Sequence, residues 1–405
     1  MKPLISALSL LIGTAIFANS ASAAPKADQH VILVSVDGLA HYYFDDPKAN
    51  MPTIRQLASA GARAKRMECS YPTVTWPNHT TLVTGVHAGR HGVIGNNYFD
   101  RATLKTIPLI PDPIFDKAEI VKAPTVYDVV HQAGLKTAGV CWPASRNAST
   151  LNWQLPDVFD QKIFEGASTP SLLAELKEKG IPYWKQNEWC KIGNAGKPQR
   201  DWMYTRIAEH LITTHRPNLL MLHLVSVDAL EHATGRQSEE AYWAINDSDR
   251  CIRELIDATE RAGIRNKTTF FITADHGFIT YTKEIAANVV LRQEKFREGQ
   301  GLKLKQQAYA LSQGGGCFIY ILDDANRDAI RDRLAARFRE VEGVEVVIEP
   351  KDFAKFGHQL PSADPREPDL MLGAADGYSF SGKDDGEDII IATDGPKGSH
   401  GYSPF

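Results

Sequence analysis

The chain has 405 residues, 43% hydrophobic and 9% aromatic, with 45 lysines and arginines against 49 aspartates and glutamates. These proportions belong to a globular protein and exclude an intrinsically disordered, collagenous or disulfide-stapled miniprotein. A formal net charge of −4 gives no electrostatic reason to expect nucleic acid or an anionic membrane as a partner. If the protein handles a phosphate, the positive potential must come from something other than its side chains in bulk.

In chain order, Met1 to Ala23 reads as an export signal: Lys2 opens it, Leu4 to Phe17 is nearly all apolar, and Ala21-Ser22-Ala23 gives a small-x-small cleavage site. An apolar run of about 14 residues is shorter than the roughly 20 that a spanning helix needs. The sequence therefore predicts an exported protein, periplasmic or secreted, whose residues 24–405 form one domain with no membrane span. Cys69, Cys141, Cys190, Cys251 and Cys317 contain no Cys-x-x-Cys pair, which leaves thiolate-zinc motifs unsupported. Export would allow one or two disulfides with one thiol left over.

Apolar, β-branched runs predict strands over 31–36, 136–142, 219–227, 268–273, 317–322 and 344–348. Helical patterns cover 52–60, 125–133, 201–213, 239–262 and 326–338; in the fourth, Tyr242, Ile245, Ile252, Leu255, Ile256 and Thr259 make one stripe and Gly263 stops it. Buried strands alternating with helices predict an α/β fold with a mostly parallel central sheet and helices on both faces. Residues 150–200 break the alternation and read as irregular, an aromatic-rich lid or cap insertion, and 381–388 as a solvated loop.

In such sheets ligands bind beyond the carboxyl ends of the strands. Asp37 follows the first strand, Asp228 and His232 the third, and Asp275 and His276 the fourth, with His400 in a glycine-flanked setting near the C-terminus. Singly, each aspartate could be a helix cap or turn former. Together, crowded carboxylates repel unless cations neutralise them, and a set of Asp and His without Cys suits zinc or manganese. Asp228 and His232, four residues apart, would share one helical face. A helix running from Pro77 to Thr84 and ended by Gly85 puts Thr75 at its N-terminal end. There anions are favoured and a hydroxyl beside a divalent ion becomes a nucleophile, although Thr73, Thr80 and Thr81 are equally eligible on spacing.

The combination of Asp37-Gly38, Pro72-Thr73-Val74-Thr75-Trp76-Pro77-Asn78-His79, Leu82-Val83-Thr84-Gly85, His91-Gly92, Asn96, Asp228 with His232, Asp275-His276-Gly277 and His400-Gly401-Tyr402 resembles the nucleotide pyrophosphatase/phosphodiesterases of the alkaline phosphatase superfamily, from about Val31 to Tyr402. The resemblance implies an alkaline phosphatase-like three-layer sandwich and a two-zinc site. Asp37, Thr75, Asp275 and His276 would hold the first zinc, and Asp228, His232 and His400 the second. It implies Thr75 as nucleophile through a phosphoryl-threonine intermediate, and Asn96 with the Trp76 amide on a phosphate oxygen. Trp76 would also stack on a nucleobase or narrow the leaving-group side. Two zinc ions against three aspartates leave about +1 where a phosphate would sit. The expected substrate is a small phosphodiester or nucleotide; phosphomonoesters, phosphonates such as phosphonoacetate, and choline-bearing diesters are the alternatives. Cys141 to Arg146 holds only one cation, Arg146, which favours diesters over dianionic monoesters.

Overall fold

Five strands, β1 (His30–Val36), β2 (Thr137–Trp142), β3 (Trp153–Pro156), β4 (Leu219–Leu224) and β5 (Thr268–Thr273), pair entirely in parallel in the order β3-β2-β4-β1-β5. They belong to a computed structural model that describes residues 27–110, 114–298 and 305–405. The export signal expected at Met1–Ala23 lies outside the described residues.

The sheet is covered on both faces because its strands are apolar on both. From β1, Ile32, Val34 and Val36 point to one side. There they meet Met203 and Ile207 of α5 (Lys197–His210) and Ile245, Ile252 and Leu255 of α7 (Glu239–Arg261). Val31 and Leu33 point to the other, towards Val83 of α2 (Thr75–Thr84) and Tyr127 of α3 (Val126–Gln132). This is the alternation that a strand buried on both faces imposes. Helix α1 (Pro52–Ala60) starts with two amides, Thr53 and Ile54, donating to the buried Asp249 carboxylate of α7.

Three expectations change. Residues 150–200 are regular rather than irregular: they hold the edge strand β3, then helices at Gln161–Ala167, α4 (Pro170–Glu178) and Gln186–Lys191 before α5 begins. These helices span two turns or so, too short for a 3.6-residue period to show, and caps such as Asp160 on the Ile163 amide define them instead. The strand ending at Val227 stops at Leu224, since Ser226–Thr234 forms α6. Finally, the predicted strands 317–322 and 344–348 lie outside the central sheet. They are β8 (Gly316–Ile321) and β9 (Val344–Ile348) of an antiparallel sheet ordered β7-β8-β10-β9, with β7 (Ala308–Gln313) and β10 (Leu370–Ala374). This sheet has a core of its own with α8 (Arg327–Arg339).

A third sheet brings the two ends of the site together. In it β6 (Ile279–Ala286) pairs with β11 (Gly377–Ser381) and, antiparallel, with β12 (Ile390–Ser399), so that Ser399 faces Ile279. Residues 382–388 form the expected exposed loop. No cysteine sulfur is bonded to another, so the disulfides that export would allow do not form. Among the described residues no helix is long and apolar enough to cross a membrane.

Buried Asp201 on α5 accepts from the amides of Val225 and Ser226, at the first turn of α6. Asp201→Ala leaves both amides without an acceptor. It is expected to lower unfolding free energy by about 2–4 kcal/mol, read as an earlier urea midpoint, with Asp201→Asn intermediate.

Candidate metal centre and comparisons with known proteins

Asp37 directly follows β1, and its backbone bridges to β4 and α6: its N–H donates to Leu224 O and its carbonyl accepts from Asp228 N–H. Gly38 then turns the chain at φ 78°, where a Cβ would lie 2.8 Å from the Phe278 ring. Asp275 and His276 follow β5. His276 Nε2 sits 3.2 Å from Asp37 Oδ1, 3.3 Å from Asp275 Oδ2 and 3.4 Å from Thr75 Oγ1. Four side chains from three segments thus converge on one buried point.

A second point lies beside it. Asp228 sits in the first turn of α6 with His232 one turn on, and its Oδ1 is 3.3 Å from His232 Nε2 and 3.5 Å from His400 Nε2. The β6–β12 pairing brings His400 here, its ring stacked on that of His276 at 3.7 Å. Ligand atoms of Asp37, Asp275 and His276 all lie within 4.8 Å of one another, and so do those of Asp228, His276 and His400. His276 therefore stands between the two groups.

The imidazoles are presented by their far nitrogens. His232 Nδ1 bonds Gly398 O at 3.0 Å and His400 Nδ1 bonds Thr73 O at 3.2 Å, which directs each Nε2 towards Asp228. Two further histidines, missed in the sequence, hold the carboxylates. His223 Nε2 lies 2.9 Å from Asp37 Oδ2, and His79 Nδ1 lies 2.9 Å from Thr75 O and 3.4 Å from Asp275 Oδ2. His223 had a signal, as the one polar side chain in the run Leu219-Leu220-Met221-Leu222-His223-Leu224. His79 was visible only as part of Pro77-Asn78-His79.

Electrostatics fit this residue set to divalent cations. Burial, then the charge of Asp228, pushes the Asp37 carboxyl well above the usual range; burial, then Asp37, does the same to Asp275. Burial opposes Asp228 as well, but the imidazoles of His232, His400 and His276 outweigh it and hold its carboxyl low. Burial and neighbouring histidines depress His276 and bring His400 down to about 4, so both are neutral donors at pH 7. Asp37 Oδ1, Asp228 Oδ1 and Asp275 Oδ2 are buried without a hydrogen-bond donor. Three such oxygens beside the neutral His276 and His400 imidazoles and His232 are a ligand set for zinc-like ions.

Thr75 is the first residue of α2, which ends at Gly85 as expected but begins two residues before Pro77. Asn96 Oδ1 accepts from the Trp76 amide at 2.9 Å. That amide is therefore engaged by Asn96 rather than left for a phosphate oxygen. The Trp76 ring is only 1% exposed, packed among Val93, Leu109, Ile120 and Ala144, and its Nε1 points to Asp157. Stacking on a nucleobase is thus corrected: the indole is a core wall beside Thr75. Arg146 is engaged with Asp116, while Lys197, at the start of α5, contributes positive potential at Asp37 and His232.

Residues 31–403 match the model of the type I phosphodiesterase/nucleotide pyrophosphatase family. The chain belongs to that family. Among its relatives is a venom phosphodiesterase of Macrovipera lebetinus, 28% identical over 247 residues, which are 61% of this chain and 25% of the relative. The chain therefore spans about a quarter of the length of such relatives. In fold it is similar to murine ectonucleotide pyrophosphatase/phosphodiesterase 5, solved as an inactive threonine-to-alanine form with AMP. The TM-score is 0.65 at 18% identity, covering 93% of this chain and 84% of that one. It is equally similar to the phosphonoacetate hydrolase of Sinorhizobium meliloti 1021 with phosphonoacetate: TM-score 0.68, 19% identity, 93% and 88% coverage.

Cations that neutralise two buried carboxylates and the partly buried Asp228 would stabilise the folded state by mass action. Chelation is expected to lower the melting temperature by roughly 5 °C or more, and returned zinc to restore it; calorimetry with and without EDTA checks this.

Proposed function

We propose that this protein is an exported two-zinc phosphodiesterase/nucleotide pyrophosphatase that cleaves phosphodiester or pyrophosphate bonds of nucleotides through a phosphoryl-threonine intermediate. The observation that carries this reading is Thr75 Oγ1, at the first turn of a helix, 3.4 Å from the His276 Nε2 on which Asp37 and Asp275 also converge. Asp37, Thr75, Asp275 and His276 would hold one ion, and Asp228, His232 and His400 the other. Divalent ions there supply Lewis acidity, lowering the pKa of a hydroxyl and offsetting charge on the attacking and leaving oxygens.

The chain's own groups do the positioning. Thr75 Oγ1 loses its proton to solvent and attacks phosphorus as the bond to the leaving oxygen breaks, aided by the positive end of α2. Water then displaces Oγ1 from phosphorus, which frees the phosphate product and returns the hydroxyl. Because Asn96 Oδ1 is fixed by the Trp76 amide, its Nδ2 is the group that donates to a nonbridging oxygen as charge shifts. His79, through Thr75 O and Asp275, and His223, through Asp37, hold the first cluster against rotation. The murine neighbour's inactive threonine-to-alanine form supports a threonine in this role.

A second reading keeps this chemistry on a phosphonate or phosphomonoester. Two observations favour it: the fold match to phosphonoacetate hydrolase, and the half-buried Lys197, an added cation near the site. Turnover of bis-p-nitrophenyl phosphate, p-nitrophenyl phosphate and phosphonoacetate separates the two. A diester preference is expected; a large preference for either dianion, lost in Lys197→Ala, would favour the second. Thr75→Ala is expected to lower kcat on the preferred substrate by about 1,000-fold or more with metal content retained, measured by steady-state kinetics and metal analysis.

A further inference from the structure

Outside the catalytic centre, the described residues bring one more carboxylate and two imidazoles to a single point. Glu175 Oε2, on α4, lies 2.7 Å from His210 Nε2 and 2.6 Å from His215 Nε2. The two rings are 5.8 Å apart and nearly perpendicular, so their nitrogens meet on that oxygen from different directions. All three ligand atoms lie within 4.8 Å of one another. We propose that Glu175, His210 and His215 bind a third divalent cation of the zinc class, independent of the catalytic pair.

The local backbone is built for this convergence. His210 ends α5, and Leu211–His215 continues as a π-helical turn closed by the Arg216 N–H on Leu211 O at 2.9 Å. In an α-helix, residues five apart point about 140° away from each other. In a π-helix five residues make about one turn, and such turns are rare and concentrated at functional sites. Arg216 accepts a left-handed conformation, φ 48°, to end the turn. The distortion turns His210 and His215 towards the same carboxylate.

The surroundings suit a cation. Both Nε2 atoms meet the Glu175 carboxylate at hydrogen-bond distance, and His210 Nδ1, 3.4 Å from Thr214 Oγ1, can carry the ring proton instead, which would free Nε2 to coordinate a cation. The Trp153 indole packs on His215 at 4.5 Å and shields one side. His210 is buried, while His215 and Glu175 are partly exposed, so solvent can complete the coordination. Two imidazoles, a carboxylate and water are a familiar zinc ligand set.

Topology makes the role structural. The cluster precedes β4 and adjoins the first residue of β3, at the edge of the sheet opposite the catalytic aspartates. Along α5, His210 is about 13 Å from Asp201, which caps the helix of Asp228 and His232. A cation would staple α4, in the 150–200 segment, to the end of α5.

The test is zinc content per chain, measured by inductively coupled plasma mass spectrometry after zinc loading and desalting. Glu175→Gln keeps an acceptor for both imidazoles but removes the charge, and His215→Ala removes a ligand. Each folded variant is expected to carry one zinc fewer than wild type while hydrolysing phosphate esters at the wild-type rate. Equal zinc in wild type and either folded variant overturns the proposal. A wild-type measurement stands apart from variant folding: returning zinc to chelated protein should slow amide hydrogen exchange in 170–178 and 208–216. Unchanged exchange in both segments would also overturn it. Since neither readout uses the catalytic ligands, failure here leaves the proposed function intact, and loss of that function leaves this site intact.

Discussion

Three carboxylates are carried to one edge of a parallel sheet, Asp37 and Asp275 buried and Asp228 partly so, and the rest of the architecture follows from that repulsion. Asp37, Asp275 and Asp228 leave oxygens without donors, and burial with mutual charge drives the first two towards protonation. Hydrogen bonds from His223 to Asp37 and from the Gly38 amide to Asp275 orient these groups, but His223, with its pKa raised to about 9, brings one positive charge against three carboxylates. Divalent cations bound there would resolve the conflict and create the local positive field that a net charge of −4 could not supply.

The geometry is secured by backbone pairing more than by the ligands themselves. Register between β1 and β4 sets Asp37 against Leu224, and Asp37 O receives the first turn of α6 with Asp228. Antiparallel pairing of β6 with β12 carries His400 back from the end of the chain to lie on His276. Second bonds from His232 and His400 to backbone carbonyls then fix which nitrogen faces inward. Under the proposed mechanism such preorganisation would matter, because in-line displacement tolerates little misplacement of the attacking oxygen.

Much of this was legible in the sequence because its signals are local. Apolar β-branched runs marked β1, β4 and β5, and an aspartate after each named the edge where the site lies. The i, i+4 spacing of Asp228 and His232 was readable without knowing where the strand ended. What was not legible depends on tertiary context. Strands β8 and β9 are as apolar as those of the central sheet, so nothing local distinguishes a second antiparallel sheet. The short helices after residue 160 lack the length for a period. Trp76 looked like a stacking surface, yet a large aromatic beside the buried Thr75 has most to gain from packing, and it is in the core. The Glu175 cluster needed a π-turn that no sequence pattern announces.

The central claim is that the two residue groups around His276 hold divalent cations. Anomalous diffraction at the zinc edge from crystals grown with zinc tests it most directly. The account predicts a strong peak at each group, one among Asp37, Thr75, Asp275 and His276 and one among Asp228, His232 and His400, separate from any peak at Glu175, His210 and His215. A map with no peak at either group, while the protein hydrolyses its phosphate ester, would contradict it.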